Sequence, residues 1–254
     1  MPIRNEVLDQ LAARRSVRVF TNEPVAPEER AAILDAAFNA PTAGCQQLYT
    51  ILDITDPALR AQLADLCDHQ PMIAAAPLCL VFLADCRRWP RAYRAAGAAP
   101  RDPGPGDLLL AVADACIAAQ NAVTAAESLG IGSCYIGDVL ENAEAMRAAL
   151  ALPPHVVPAA MLIFGRPTEQ RTREKPRRFA PEAVVCENTY RDRSEAELRA
   201  DFAARDAGPG YDFDRDLQAF CARKYDSDFS REMSRSAAVY LADFLPGAPA
   251  EPAR

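Results

Sequence analysis

The alternation of apolar and polar positions divides most of the chain into strands and helices. Apolar runs predict strands at residues 49–55, 78–84 and 159–165, and GSCYIG at 132–137 predicts a further short strand. The run at 78–84, LCLVFLA, is apolar at every position, which is typical of a strand that is buried on both faces. We therefore expect a sheet that is covered by helices.

The segments between these strands have apolar residues at helical spacing. This spacing predicts helices at 27–39, 56–67 and 140–152. The stretch 107–128 is apolar on most sides, which indicates a helix in the middle of the fold, and Gly130 ends it. Strands that alternate with helices predict an α/β or α+β sheet with the long helix packed against it.

Two regions depart from this pattern. Residues 86–106 contain a cluster of arginines and several Pro and Gly residues, so we interpret them as a surface excursion or lid. Residues 191–254 are charged and have few strand signals, which predicts a mainly helical C-terminal extension after a core at residues 1–190.

Composition narrows the class of protein. The chain has 254 residues, a formal net charge of -7 and a pI near 5.0, which argues against nucleic-acid or membrane-surface binding. The first thirty residues have no apolar leader, and polar residues such as Asp114 and Glu127 interrupt the longest apolar stretch. The eight cysteines have no CxxC spacing and lie mostly in apolar runs, so we expect reduced thiols in a cytoplasmic protein.

Basic clusters stand out against the acidic background. RRSVRVF at 14–20 places Ser16 and Arg18 on one face of an extended segment, so that Arg18 can point at an anion, and arginine forks suit phosphate oxygens. Each cluster taken alone is also compatible with a solvated face. Their members are Arg14, Arg15 and Arg18 in the first cluster and Arg171, Arg173, Lys175, Arg177 and Arg178 in the second.

The remaining motifs leave the role of one loop open and argue against a dinucleotide fingerprint, a histidine metal site and a catalytic triad. PTAGCQQ at 41–47 is either a plain loop or a backbone that approaches a flat ligand closely. In GIGSCYIGD the third glycine of a dinucleotide fingerprint would fall at Tyr135, and the motif follows a helix, so the order is wrong. With only His69 and His155, a histidine-based metal site or a Ser-His-Asp triad has few candidates. We expect chemistry that is supplied by a cofactor.

Four segments together resemble the FMN-dependent nitroreductase family, in particular its NADPH-dependent, oxygen-insensitive nitroreductases and flavin reductases. They are RRSVRVFTNEPV, APTAGCQQ, the long stretch from DACIAAQNAVTAAESLGIGSCYIGD to MLIFGRP, and EKPRRFAPEAVVCENTY. The resemblance implies an α+β fold with a mixed central sheet flanked by helices, a long buried helix and an intertwined homodimer. It also implies FMN at the dimer interface and a ping-pong transfer of hydride from NADPH through flavin N5 to nitroaromatic, quinone or flavin acceptors.

The resemblance also assigns roles to individual residues. The phosphate and ribityl end of FMN would be lined by Arg14, Arg15, Ser16, Arg18, Lys175 and Arg177. The flavin ring would be met by Thr42, Ala43 and Gly44 from the partner subunit, by Gln70, and by Tyr135, Ile136 and Gly137. The Gly137 backbone N–H would be the catalytic donor to N5, Arg235 would face the substrate, and Arg223 would hold the NADPH 2′-phosphate.

The chain departs from this branch at some positions, and alternatives stay open. Asp138 stands where close relatives have a second glycine, which would place a carboxylate near the flavin. The Thr42–Gly44 loop lacks the serines of this branch. The alternatives are other flavin chemistry, such as reductive dehalogenation or flavin fragmentation, a noncatalytic flavin-binding protein, and a helical interaction module without ligand.

Overall fold

The computed structural model of the chain describes residues 3–168, 175–206 and 208–246. It divides the chain into two compact units, one formed by Met1–Thr172 with Glu232–Arg254 and the other by Arg173–Arg231. The helices of the first unit are α1 (Glu6–Ala13), α2 (Pro27–Phe38), α3 (Pro57–Leu66), α4 (Pro71–Ala75), α5 (Arg88–Ala95), α6 (Pro105–Ser128) and α7 (Ala143–Ala149). The helices of the second unit are α8 (Pro181–Val184), α9 (Glu195–Asp206) and α10 (Phe213–Lys224). The last helix, α11 (Asp228–Ala242), contains the boundary between the two units.

The first unit is built around a four-stranded sheet. Its strands are β1 (Tyr49–Asp53), β2 (Leu78–Asp85), β3 (Gly132–Ile136) and β4 (Val156–Gly165), in the spatial order β1-β2-β4-β3. All three neighbouring pairs are antiparallel, and an isolated parallel bridge joins Ser16 to Ser133 beside β3. The four strands lie at the predicted positions, and the α+β class with its long helix is confirmed.

Helices cover both faces of this sheet. On one face α2 and α6 contribute Ile33 and Ala118 to a buried cluster that includes Phe82 of β2. On the other face α3 and α7 contribute Leu63 and Met146 to a second cluster, which takes the alternate residues of β2. A strand that is packed on both sides needs apolar residues at every position, which explains the unbroken run at 78–84.

The long helix α6 has clear boundary signals. It begins at Pro105 rather than at the predicted Asp107, because the Asp107 carboxylate caps the Gly104 N–H one turn earlier. It ends before Gly130, whose φ of +73° only glycine adopts without strain. Among the described helices α6 is long and apolar enough to cross a membrane, but it packs against α2, β2 and β4 and 44% of its most apolar window is buried.

The predicted excursion at 86–106 contains an ordered helix, α5, that the sequence pattern did not indicate. Its first turn is fixed by Asp85, whose carboxylate accepts hydrogen bonds from the Arg87 and Arg88 N–H groups at 2.9 and 3.3 Å. The return to α6 is fixed by ion pairs from Arg94 to Asp102 and from Arg101 to Asp107. The segment is therefore a defined structural element of the first unit.

The second unit is helical in its described residues and is held together by aromatic and charged side chains. The rings of Phe179, Phe202 and Phe213 pack edge to face in sequence, and the Arg205 guanidinium lies 4.2 Å from the centre of the Phe179 ring. Arg193 makes a two-pronged ion pair with Asp201. These contacts join α9 to the segments on either side of it.

Candidate active site

The first basic cluster lies along the edge strand β3. The Val17 N–H donates to the Ser133 carbonyl at 2.9 Å, and Val17 is buried against Gly132. A Cβ at Gly132 would lie 2.6 Å from a methyl group of Val17, so this approach requires glycine. Residues 14–18 are thereby held beside the strand that leads to residues 135–137.

Arg14 and Arg18 of this cluster, together with Ser16 between them, influence the pKa of side chains on β3. Burial raises the pKa of the Cys134 thiol, and Arg18, the Ser16 side chain and Arg14 oppose that rise. Burial also raises the pKa of Tyr135 to about 12, and Arg14 again opposes the rise. The structure thus brings Arg14, Ser16 and Arg18 together on the β3 side of the first unit.

Arg14 has unused capacity for hydrogen bonding. One of its terminal guanidinium nitrogens is buried and has no hydrogen-bond partner within the residues that the structure describes. A buried, unsatisfied charged donor is costly, and an anionic oxygen is the partner that best removes the cost. Arg15 lies next to it, half buried, with its Nε 3.5 Å from the Ala13 carbonyl. The cluster therefore fits a phosphate group.

The loop at 42–48 is organised by one buried carboxylate from α6. Asp114 accepts hydrogen bonds from the Thr42 hydroxyl, from the Ala43 N–H at 3.0 Å and from the Leu48 N–H at 3.2 Å. The Thr42 hydroxyl in turn accepts from the Gln47 N–H at 2.7 Å. Asp114 is thus the inner anchor of the loop.

The same loop holds a tight turn and is fastened from outside by α5. Gly44 and Cys45 have φ values of +56° and +59° in a single 3-10 turn, Ala43–Cys45. The Trp89 indole donates to the Gln46 carbonyl at 2.8 Å, and Arg88 donates to the Gln47 carbonyl at 2.9 Å. A loop that is held on two sides presents its backbone in a fixed position.

The end of β3 presents an open backbone at Gly137. Ile136 is buried in the core, whereas Tyr135 and Gly137 are exposed, and the Tyr135 hydroxyl lies 3.4 Å from the Gln120 side-chain oxygen. No atom of the described residues lies within 4 Å of the position that a Cβ on Gly137 would take. A flat ligand could therefore approach the main chain at Gly137.

In the residues that the structure describes, no hydrogen bond joins the 42–48 loop to residues 135–137 of the same chain. Asp114 and Gln120, which contact the loop and Tyr135 respectively, lie six residues apart on α6, or about 9 Å along its axis. The loop and the end of β3 are therefore separate parts of one protomer's surface.

A buried carboxyl group lies close behind Gly137. Glu141 follows the 3-10 turn Gly137–Leu140 and is buried, and no described residue donates a hydrogen bond to its carboxyl group. Burial raises the pKa of Glu141 to about 7, and the charges of Asp138, Asp68 and Glu232 add to the rise. No group in the described chain has the His, Cys, Asp and Glu arrangement of a metal site.

Gln70 lies on the neighbouring segment that precedes α4. It is half buried, and its N–H donates to the Ala64 carbonyl at 2.9 Å. Helix α3, which ends just before this segment, packs against the 137–140 turn, and the Asn142 side-chain amide donates to the Leu66 carbonyl. The segment that carries Gln70 thus follows a helix in contact with the turn that carries Gly137.

Arg235 is paired with two carboxylates. Its guanidinium donates to both oxygens of Glu144 at 2.9 Å and to Glu232 at 2.8 Å. The pKa of both glutamates is lowered to about 2, mainly because each accepts hydrogen bonds from the Arg235 guanidinium. Glu232 also accepts from the Asn142 N–H at 3.1 Å, so Arg235 is linked to the chain just after Glu141.

The remaining predicted residues belong to the second unit or lie outside the described residues. Lys175 is half buried and Arg177 is exposed, and the Arg223 guanidinium lies 5.0 Å from the centre of the Phe220 ring. Arg171 and Arg173 lie outside the described residues. Convergence of Lys175 and Arg177 with the first cluster stays a prediction.

Sequence reasoning missed the residues that position this site. Asp114 was visible as a carboxylate that interrupts an apolar helix, but its partners lie more than sixty residues away in the chain. Glu141 carried no signal, because its state depends on burial and neighbours rather than on a motif. Arg88 and Trp89 lie in the segment for which the sequence predicts a surface excursion or lid, so no local pattern marked their contacts with the loop.

Known proteins resemble the chain in sequence and in fold. The model of the nitroreductase family matches residues 11–166. An oxygen-insensitive NADPH nitroreductase of Salmonella typhimurium is 39% identical over 75% of this chain and 77% of its own length. An FMN reductase [NAD(P)H] of Bacillus subtilis is 32% identical over 93% and 91%. The NADPH:FMN oxidoreductase of Vibrio harveyi, solved with NAD+, is 25% identical with a TM-score of 0.76 and covers 93% of this chain and 98% of its own.

Proposed function

Because the chain belongs to the nitroreductase family, we propose that it is an FMN-dependent oxidoreductase that takes hydride from NADPH and passes electron pairs to nitroaromatic, quinone or flavin acceptors. Two relatives named for NADPH nitroreductase and FMN reductase activity match most of the chain and support NAD(P)H and FMN as its cofactors. The observation that carries the proposal is the pairing of residues 14–18 with β3. This pairing holds phosphate-suited cations beside the strand that leads to the open backbone of Gly137.

The phosphate end of FMN is assigned to the first basic cluster. Arg14, Arg15, Ser16 and Arg18 would bind it, and the unsatisfied Arg14 nitrogen gives the cluster a donor that is already desolvated. Lys175 and Arg177 would complete the phosphate contacts. Several charge-assisted hydrogen bonds to one dianion account for arginines near the start of an acidic chain.

The ring end of FMN is assigned to Gly137 and its surroundings. FMN, when bound, supplies the hydride and electron-pair chemistry. The Gly137 N–H would donate a hydrogen bond to N5, and Tyr135, Ile136 and Gln70 would cover the ring. Thr42, Ala43 and Gly44 would reach the ring of the partner subunit, where the anchoring by Asp114 fixes their backbone.

We place NADPH and the acceptor on the same face of the site, one after the other, which gives ping-pong kinetics. Arg235 would lie at the substrate face and Arg223 would meet the NADPH 2′-phosphate. Because Glu144 and Glu232 already pair with Arg235, that guanidinium orients neighbouring groups rather than offering a free positive charge.

The exposed apolar residues of the first unit support a homodimer. Val7, Leu8 and Leu11 of α1, Phe38 at the end of α2 and Ile117 of α6 all present large apolar side chains to solvent in the single chain. A second copy would cover this surface and would bring its 42–48 loop to the site. Sedimentation of the purified protein is expected to give twice the chain mass.

All eight cysteines are free thiols, which suits the reducing cytoplasm in which we place the enzyme. In that compartment NADPH is a common hydride donor. A protein whose thiols remain titratable without reductant after purification would agree with this location.

The visible spectrum of the purified protein tests the proposed function. We expect a yellow protein with one FMN per chain, and anaerobic NADPH should bleach the flavin band within the mixing time of a turnover assay. Addition of a nitroarene or a quinone should then restore the band. Colourless protein would overturn the proposal, and a yellow protein that NADPH fails to bleach would favour a noncatalytic flavin-binding protein.

A screen of acceptors separates this activity from other flavin chemistry. Nitroarenes, quinones and free flavin should each support steady NADPH oxidation, with parallel double-reciprocal lines at varied NADPH. Turnover of iodoarenes alone would instead favour reductive dehalogenation.

A further inference from the structure

A cavity of about 270 Å³ lies between α5, the start of α6 and the 42–48 loop. No residue assigned to FMN or NADPH above lines it. Most of its lining is aromatic or apolar and includes Trp89, Tyr93 and Leu110, and its polar residues include Gln46, Arg101 and Asp107. The volume lies just below the range of drug-sized pockets, so the cavity suits a molecule of one or two rings.

The walls of this α5 cavity are preformed. The Trp89 indole is held by its hydrogen bond to the Gln46 carbonyl, and its ring packs against Tyr93 with centroids 5.7 Å apart. Arg101 and Asp107 are paired with each other at the α6 side. Proline side chains complete the lining with rigid, flat faces, so little ordering is needed on binding.

Two polar groups of the lining remain available to a ligand. In the part of the chain that the structure describes, neither the Tyr93 hydroxyl nor the Gln46 carboxamide makes a hydrogen bond to protein. Arg101 is paired with Asp107, and Asp85 is paired with Arg88, so each charged residue of the lining already has a counter-charge in the protein. Aromatic rings, apolar walls and a few uncommitted polar groups are the features of small-molecule sites.

We propose that the α5 cavity binds a small, flat, uncharged aromatic molecule with a hydrogen-bonding substituent, of the quinone or nitroarene kind. The ring would lie against Trp89 and Tyr93, and the substituent would meet the Tyr93 hydroxyl or the Gln46 carboxamide. Since Trp89 and Gln46 also belong to the fastening of the 42–48 loop, the ligand would contact the outer side of that loop.

The chain carries its own reporter for this site, because Trp89 is its single tryptophan. In oxidised holoenzyme without NADPH, titration with 1,4-naphthoquinone should quench Trp89 emission in a saturable manner. Leu110→Phe places a larger ring at the half-exposed mouth and should weaken binding roughly tenfold or more by occupying the ligand's volume. Tyr93→Phe keeps the ring and should weaken binding about two- to tenfold through the lost hydroxyl.

Leu109→Phe is the matched control, because Leu109 is the adjacent residue of α6, is more exposed and does not line the cavity. It should bind the quinone as the wild type does. Quenching that fails to saturate, or equal affinity in all four proteins, would overturn the proposal. Flavin content and bleaching by NADPH are read separately in the visible band, so failure of the proposed function leaves the Trp89 result interpretable.

Discussion

Two buried carboxyl groups lie next to the two parts of the candidate site, Asp114 beneath the 42–48 loop and Glu141 close to Gly137. They differ in the number of hydrogen bonds that they accept. Their exposed fractions are nearly equal, at 3% and 4%. Asp114 accepts three hydrogen bonds from the 42–48 loop, whereas Glu141 accepts none from the described residues. Two carboxyl groups that are equally buried therefore differ in their surroundings, and hydrogen-bond donors offset the cost of burial at Asp114 only.

The difference has a consequence for each side of the site. Asp114, which accepts three hydrogen bonds, fixes the main chain of the loop that we assign to the partner's flavin. A Glu141 that changes its protonation near neutral pH leaves a variable charge behind Gly137. One side of the site is held by these hydrogen bonds, and the other side responds to pH.

The largest effect is expected from removal of Asp114. Asp114→Ala leaves the Thr42 hydroxyl and the Ala43 and Leu48 N–H groups without an acceptor, so the free energy of unfolding should fall by about 3 kcal/mol or more. Urea unfolding measures this. Asp114→Asn, which keeps the shape and one acceptor oxygen, should lose less, and an Asp114→Ala variant as stable as the wild type would contradict the anchoring role of Asp114.

A second large effect should appear in the pH dependence of stability. The folded pKa of Glu141, about 7, lies above its ordinary value of 4.5, so the neutral form is the one that folding favours. The resulting stabilisation is complete below pH 4.5 and is lost as pH rises through about 7, by up to about 3 kcal/mol.

Glu141→Gln removes this titration and supplies the test. The variant should match the wild type near pH 5 and exceed its free energy of unfolding near pH 8. If the two proteins lost stability in parallel between these pH values, the contrast between Glu141 and Asp114 would be wrong.

A smaller effect should follow from Thr42, which joins the loop to its anchor. Its hydroxyl donates to Asp114 and accepts from the Gln47 N–H, so Thr42→Val should cost about 1–2 kcal/mol. Thr42→Ser restores the hydroxyl and should recover most of the loss. A valine variant as stable as the wild type would contradict this role of the hydroxyl.

The local pattern of apolar and polar residues predicted the strands and helices around the sheet better than it predicted the side-chain contacts between them. The strands at 78–84 and 159–165 and the long helix were visible as apolar runs, because burial on both sides leaves a mark at every position. Helix α5 was not visible, because its arginines and prolines act through capping and backbone contacts with a loop forty residues away. Contacts of that range do not appear in any local window.

In the candidate site, too, the sequence revealed the motifs but not the contacts that position them. The arginine cluster and the PTAGCQQ loop could be found as motifs, and the structure pairs the former with β3 and fixes the latter to α6. The glycines of GIGSCYIGD have separate structural roles, since Gly130 ends a helix and Gly132 leaves room for the Val17 side chain. Their spacing therefore reflects packing rather than a dinucleotide fingerprint.

The affinity for FMN of an Arg18→Ala variant tests the central claim most directly, with Arg4→Ala as control because Arg4 pairs with Asp9 on the exposed first helix. Loss of one charge-assisted phosphate contact should weaken FMN binding about ten- to a hundredfold, while the far-ultraviolet circular dichroism of the apoprotein stays that of the wild type. Arg4→Ala should retain FMN as the wild type does. Full flavin occupancy in Arg18→Ala at limiting FMN would contradict the assignment of the phosphate to this cluster.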